Sequence, residues 1–150
     1  ARLVGGGLPI KIGRCEGGIG IHALGLTSLA GLPHTLEGDL HLMTPALASL
    51  QGCPREIEGT LNIEEHDLSS LQGLPDSVES YIYLMHRQDL GLLRLLLISD
   101  LTQVELYDGN FHTVQPVTDI INRYLPQGKA GLSACATELI KAGYRGNAKL

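Results

Sequence analysis

The chain has 150 residues, enough for one domain that buries most of its apolar surface, and its net charge of −5 excludes a strongly basic nucleic-acid-binding protein. Leucine supplies much of the apolar content, glycine is abundant at 19 residues and tryptophan is absent, which predicts a core of similar aliphatic side chains on a recurring backbone. No secretory signal is visible, and the longest apolar run, Leu92 to Ser99, is too short for a bilayer, so no membrane contact is expected. The sequence opens on ARLVGGGLP without a methionine, and we expect that some N-terminal sequence is missing from it.

Short strands are predicted along the first 110 residues at a spacing of about 21. Four runs of strictly alternating residues read GIGIH, DLHLM, TLNIE and YIYLM, and this period is typical of half-buried β-strands. The residues that precede the four runs are Gly17, Gly38, Gly59 and Ser80. LTQVELYDGN, from Leu101, predicts a fifth, divergent strand with Val104 and Leu106 pointing inward.

A leucine pair and a tight corner follow each of the first strands. The pairs are Leu26 and Leu29, Leu47 and Leu50, and Leu68 and Leu71, and the Gly-x-Pro corners begin at Gly31, Gly52 and Gly73. Ser28, Ser49 and Ser70 recur between the leucines, and we expect them to hydrogen-bond to the corner backbone rather than to act as nucleophiles. The spacing L-x-L-x-x-x-x-L-x-x-L is that of a leucine-rich repeat, with Pro45 and His66 in place of the usual asparagine.

The chain changes character after about residue 110, where two amphipathic helices are predicted. The apolar positions of the first are Val117, Ile120, Ile121, Tyr124 and Leu125, and those of the second are Leu132, Cys135, Ala136, Leu139 and Ile140. Pro126 and Gly128 separate the helices, and Gly143 is the expected C-cap of the second. The predicted fold is α/β: a small leucine-rich-repeat-like solenoid of about five parallel strands with a repeat of about 21 residues over residues 1–110, and a C-terminal two-helix cap over residues 111–150, packed on it within a single domain.

The repeat assigns the cysteines to core positions. Cys53 stands where neighbouring units carry Leu32 and Leu74, and Cys15 stands where they carry Leu36, Ile57 and Val78. Cys135 lies on the apolar stripe of the second predicted helix. An odd number of cysteines at buried positions favours reduced thiols and a cytosolic compartment over a disulfide or a metal cluster.

The repeat and the C-terminal segment together resemble a known family. The pattern G-x-P-x-x-L-x-G-x-L-x-I-x-x-x-x-L-x-S-L, followed by INRYLPQGKAGLSACATELIKAGYRGNAKL, is similar to leucine-rich-repeat-like proteins encoded by tailed bacteriophages, over about residues 5–150. The resemblance implies a viral protein in the cytoplasm of a bacterial host. It implies no shared activity and therefore supplies no catalytic residues.

Fragments that suggest catalysis have simpler explanations in the repeat. GRCEGGIG opens no helix and lacks a following Lys-Ser/Thr pair, so it is not a phosphate-binding loop, and Gly18 and Gly20 are expected to point outward from a strand. EEHDL, from Glu64, resembles an acid–base or metal cluster, but it is expected to be a solvated turn in which only Glu64 faces the sheet surface. The histidines show no metal-ligand spacing, so neither a cofactor nor an enzyme is expected.

The outward positions of the predicted strands form a candidate binding surface. Stacked in register, they make three rows: Gly18, Asp39, Thr60, Tyr81 and Gln103; Gly20, His41, Asn62, Tyr83 and Glu105; and His22, Met43, Glu64, Met85 and Tyr107. The tyrosines and methionines are expected to be exposed at one end, and such a patch is typical of a protein interface. The alternative is that the C-terminal helices fold back over them. The residues predicted to contact a partner are Asp39, His41, Met43, Asn62, Glu64, Tyr81, Tyr83, Met85, Glu105 and Tyr107.

Charge indicates the kind of partner. Residues 31–110 hold 13 acidic and 3 basic residues, whereas the segments before and after carry a small positive charge. We therefore expect a non-catalytic binding module for a protein with a basic surface, and no direct binding of nucleic acid. The resemblance to phage proteins implies that this partner is a host protein, such as a defence or DNA-handling factor. Two alternatives stay open: a structural or self-assembling phage component, which would form homo-oligomers, and an enzyme whose site lies in missing N-terminal sequence.

Overall fold

The computed structural model describes residues 15–16, 18–22 and 25–150, which form a parallel β-solenoid of about four turns of about 21 residues, followed by a helical C-terminal segment. In the described chain, four short strands make one parallel sheet: β1 (Cys15–Glu16), β3 (Thr35–Glu37), β5 (Glu56–Ile57) and β7 (Ser77–Val78). A second parallel sheet has five strands: β2 (Ile19–His22), β4 (Leu40–Met43), β6 (Leu61–Glu65), β8 (Tyr81–Met85) and β9 (Gln103–Tyr107). The five predicted strands and their parallel arrangement are confirmed.

The alternation along each strand of the larger sheet determines which side chains form the core. In β6, Leu61 and Ile63 are fully buried, and Leu61 pairs with Leu40 on one side and Ile82 on the other. The period of 21 therefore stacks aliphatic side chains of equal size above one another. Val104 and Leu106 of β9 are also fully buried, as predicted.

The corners confirm the interpretation of the glycines and serines. Gly31, Gly52 and Gly73 have φ angles of 104°, 93° and 99°, which strongly favour glycine. A Cβ on Gly52 would lie 2.6 Å from the backbone nitrogen of Ala30, so glycine also permits the close stacking of successive corners. The hydroxyls of Ser28, Ser49 and Ser70 accept hydrogen bonds of 3.0 to 3.1 Å from the backbone N–H two residues later.

His66 is buried, so the expectation of a solvated turn at this residue is wrong. Only 3% of its surface is exposed. Its Nδ1 accepts a hydrogen bond of 3.0 Å from the N–H of Leu68, and its Nε2–H donates one of 2.9 Å to the carbonyl of Met85 in the next turn. The neutral imidazole offers one acceptor and one donor to the backbone, as the side-chain amide of the usual repeat asparagine can. Burial lowers the pKa of His66, which favours this neutral form.

The C-terminal segment is helical over residues 115–141 and bends in the middle. It comprises α1 (Gln115–Tyr124), a 3₁₀ segment (Leu125–Gly131) and α2 (Leu132–Lys141), with non-helical torsion angles at Gly128 that separate the two α-helices. Two further 3₁₀ segments are Leu93–Leu97 and Arg145–Asn147. Four of the five predicted apolar positions of the first helix are buried in α1, and the fifth, Leu125, is half-buried in the 3₁₀ segment. Ile140 of α2 is 42% exposed, so its assignment to the apolar stripe is wrong.

Side chains of α1 hydrogen-bond to the outer edge of β9, the last strand of the larger sheet. Asn122 accepts a hydrogen bond of 2.7 Å from the N–H of Val104 and donates one of 2.8 Å to its carbonyl. The Thr118 hydroxyl accepts from the N–H of Leu106 at 3.1 Å and donates to its carbonyl at 3.3 Å. These groups take the place of a sixth strand, and they protect an edge that would otherwise invite pairing with another chain.

The end of the chain returns to the last turn of the solenoid. Asn147 is fully buried, and its side-chain amide donates to the carbonyls of Arg87 and Leu90 at 2.9 and 2.7 Å. Its Oδ1 lies 2.8 Å from Nε2 of His86. The tail therefore satisfies backbone carbonyls in the loop that follows β8.

Two cysteines are buried in the described core. Cys53 and Cys135 are free thiols, and burial raises their pKa values to about 12 and about 11. Cys15 pairs with Leu36 in the register of β1 and β3, as predicted, but its side chain lies outside what the structure describes. None of the helices in the described ranges has the length and apolar character needed to cross a bilayer.

Candidate functional site

The outward positions of the larger sheet define the candidate site, which we call the sheet face. Adjacent strands hold His41 beside Asn62, Asn62 beside Tyr83, and Tyr83 beside Glu105. Asp39 and Tyr81 are exposed, Tyr107 is buried, and the half-buried members are His41, Met43, Asn62, Glu64, Tyr83, Met85 and Glu105. The strands thus bring the predicted partner-contacting residues together on one surface.

The third predicted row is irregular at β6. Met43 pairs with Glu65 rather than with Glu64, because the register shifts by one residue between Leu42 and Met43. Glu64 instead lies close to His41, with 2.6 Å between its Oε2 and the Nε2 of the imidazole. At this bulge the Glu64 carboxylate therefore pairs with the His41 imidazole, a contact that was not predicted from the sequence spacing.

An aromatic pair dominates the first two rows. The rings of Tyr81 and Tyr83 meet edge to face, with centroids 6.1 Å apart and planes at 79°. Tyr81 remains 39% exposed. Aromatic pairs prefer this edge-to-face geometry, and the pair presents partly exposed aromatic surface.

Tyr107 is buried, and the expectation that it would be exposed is wrong. It is 8% exposed, and its hydroxyl donates to the carbonyl of Ile63 at 3.1 Å and contacts Oδ1 of Asn62 at 3.3 Å. The side chain therefore crosses over β8 and reaches β6. Burial, with smaller contributions from Glu64 and Glu65, raises the pKa of the Tyr107 hydroxyl well above its ordinary value.

The C-terminal helices do not fold back over the tyrosine pair, so that alternative is wrong. The side chains of Thr118 and Asn122 bond to the backbone of β9, which places α1 at the edge of the sheet. Tyr81 keeps its exposure, and the Tyr83 ring remains half-buried beside it.

The charge of the sheet face has one sign. The described strands of the larger sheet contain no Lys or Arg, whereas β6 and β9 contribute Glu64, Glu65 and Glu105. Asp39 lies at the start of β4, where its carboxylate accepts a hydrogen bond of 2.7 Å from the N–H of Thr60. His22 and His41 lie at the opposite end from Glu105, with their rings 5.3 Å apart. No group of three or more potential metal ligands occurs in the described part of the chain.

Open cavities also lie away from the sheet face in the described part of the chain. One of about 550 Å³ lies along the corners and is lined by Ala48, Ser49, Gln51, Ser69, Ser70, Gln72 and Gly73. The hydroxyls of Ser49 and Ser70 are already bonded to the backbone, and none of the lining residues is a histidine or a carboxylate that could activate them.

One residue beside the face was not predicted from the sequence. Phe111 is 60% exposed and packs against Tyr107, with ring centroids 5.7 Å apart. It lies outside every repeat and every helical stripe, so periodicity gave no signal for it. Its only sequence signal is an aromatic residue directly after DGN, a pattern typical of a turn.

No protein-family model, curated protein or solved structure matches this chain significantly.

Proposed function

We propose that the protein is a non-catalytic binding module, and that its sheet face binds a host polypeptide with a basic surface. The observation that supports this function best is the composition of the face: a partly exposed tyrosine pair in edge-to-face contact, with Glu105 beside Tyr83, on strands whose charged residues are all carboxylates and include no Lys or Arg in the described part of the chain.

The tyrosine pair would supply most of the affinity. Tyrosine is enriched at residues that dominate interface energies, since it buries a large area at a small loss of side-chain freedom. Tyr81 and Tyr83 are already packed against each other, so little further ordering would be needed on binding. Half-buried Met85 follows on the same strand and would add deformable apolar surface.

The carboxylates would select the partner. Residues 31–110 carry 13 acidic against 3 basic residues, and this excess repels nucleic acid while attracting Lys and Arg. An arginine of the partner could stack on the tyrosine pair and pair with Glu105, which lies beside Tyr83. Electrostatic attraction of this kind acts mainly on the rate of association and is screened by salt.

The origin of the protein is part of the proposal. The similarity of the repeat and the C-terminal segment to leucine-rich-repeat-like proteins of tailed bacteriophages supports a phage-encoded protein that acts in the cytoplasm of a bacterial host. The partner would then be a bacterial protein such as a defence or DNA-handling factor.

Affinity purification from bacterial lysate, followed by quantitative binding to the protein it identifies, tests this function. Tyr81→Ala combined with Tyr83→Ala should weaken binding at least about thirtyfold, whereas Ile140→Ala, which removes a similarly exposed apolar side chain from α2, should not. Charge reversal at Asp39 and Glu64 should slow association and flatten its salt dependence.

Unchanged binding by the double tyrosine variant would exclude the sheet face. Light scattering on the pure chain separates this function from the structural alternative, because a self-assembling component would form multimers without any partner.

A further inference from the structure

A short, tightly bonded loop follows β9 and ends at the start of α1. The N–H of Asp108 donates to the carbonyl of His112 at 2.8 Å, and the N–H of Phe111 donates to the carbonyl of Asp108 at 3.0 Å. The Asp108 carboxylate also accepts from the backbone N–H groups of Asn110 and His112, at 2.8 and 3.1 Å. Four hydrogen bonds within five residues hold this loop in one conformation.

The loop holds Phe111 in a strained backbone conformation. Its φ angle is 62°, in the left-handed region that bulky residues rarely adopt. Gly109 and Asn110 tolerate that region far better, yet both have ordinary φ angles. The strain therefore falls on the residue least suited to it.

Core packing does not explain the strain. Phe111 is 60% exposed, the highest value among the large apolar side chains that the structure describes as exposed. Its described ring contact is with Tyr107, at a tilt of 31°. Strained backbone conformations cluster at ligand-binding and other functional sites, where the surrounding structure maintains them.

The loop also lies against the sheet face. Tyr107 belongs to the third row, where it pairs with Met85, and Phe111 packs on its ring. The Thr113 hydroxyl donates a hydrogen bond of 3.2 Å to Oε1 of Glu105, which belongs to the second row. Phe111 thus extends the apolar surface of the face beyond its last strand, next to the carboxylates of Glu105 and Asp108.

We propose that Phe111 is a further anchor of the interaction beside the tyrosine pair: it inserts into an apolar pocket of a polypeptide whose Lys or Arg residues flank that pocket and pair with Glu105 and Asp108. This inference rests on the function proposed above and adds the point of insertion. The strained loop holds the ring ready for binding, so the anchor loses little freedom when the partner arrives.

Two substitutions separate an anchor from a structural residue. Phe111→Gly removes both the ring and the strain, and Phe111→Asn removes the ring but retains a residue that tolerates a positive φ. If Phe111 is an anchor that folding does not need, both variants should melt at or above the melting temperature of the wild type. Leu97→Ala is the matched control, because Leu97 is also exposed, at 43%, but lies in the 3₁₀ segment Leu93–Leu97 rather than on the face.

A random peptide-display library selected on the full chain provides the probe. We expect enriched peptides that combine at least one aromatic or aliphatic residue with Lys or Arg. Their binding should fall at least about tenfold with Phe111→Gly and Phe111→Asn, and with the double Tyr81, Tyr83 variant, but not with Leu97→Ala.

Other outcomes overturn one claim or both. Peptides that depend on Tyr81 and Tyr83 but not on Phe111 would exclude the anchor and leave the sheet face as the site. Enriched peptides without basic residues would exclude the partner chemistry. Peptides insensitive to all three aromatic residues, or no enrichment at all, would count against the proposed function itself. A marked fall in the melting temperature of both Phe111 variants would assign the residue to folding.

Discussion

Replacing His66 tests whether its two hydrogen bonds hold successive turns together. His66→Leu replaces the imidazole with an apolar group of similar size and leaves the N–H of Leu68 and the carbonyl of Met85 without their partners. Each buried group left unpaired costs about 1 to 3 kcal/mol, so loss of both partners should lower the free energy of unfolding by about 2 to 6 kcal/mol. His66→Asn is smaller, but its amide can accept from Leu68 and donate to Met85, so it should lose about half as much.

Chemical denaturation of the two variants beside the wild type measures the difference. The reasoning predicts that the asparagine variant is more stable than the leucine variant, although leucine fills the space better. If His66→Leu proves as stable as His66→Asn, packing rather than hydrogen bonding determines the stability at this position.

The same residue predicts a dependence on pH. Burial lowers the pKa of His66 below its ordinary value of 6.5 and outweighs the opposing effect of the hydrogen bond to the Met85 carbonyl. The charge of Arg87 also lowers this pKa, and that of Asp67 raises it. Between the folded and unfolded pKa values the unfolded chain binds more protons, so the free energy of unfolding should fall as the pH drops below about 6.5. This part of the pH dependence should disappear in His66→Asn. A profile that is the same in both proteins would contradict the assignment of a buried, neutral imidazole.

Three further predictions concern the core, the thiols and the sheet edge. Leu61→Ala should lower the free energy of unfolding by about 2 to 5 kcal/mol in denaturant titrations, since Leu61 is fully buried, and an unchanged value would contradict the stacking register. Cys53 and Cys135 should react slowly with a thiol reagent until denaturant is added, because both are buried and the pKa of Cys53 is raised to about 12. Asn122→Ala should lower the free energy of unfolding by about 2 to 4 kcal/mol, because the backbone N–H and carbonyl of Val104 lose their partner. The exposed edge should also promote aggregation, which light scattering detects. A variant that stays monomeric and stable would show that the edge needs no such cap.

Parts of the candidate site could be predicted from the sequence. Alternation in YIYL sets Tyr81 and Tyr83 on one side of a strand, and a repeat of constant length sets His41, Asn62 and Tyr83 in one row. Both predictions depend only on the period of a strand and on equal repeat lengths. The third row was less predictable, because the bulge in β6 changes the register there by one residue.

The sequence by itself determined the solenoid. Its period of about 21, its alternating strands, its corner glycines and its corner serines are each encoded within one repeat, and stacking follows since a single repeat cannot bury its apolar face. The burial of Tyr107, the two hydrogen bonds of His66 and the strained exposure of Phe111 were decided only in three dimensions. Each depends on what a neighbouring turn or a loop outside the repeat places beside the residue, and a periodic pattern carries no information about such contacts.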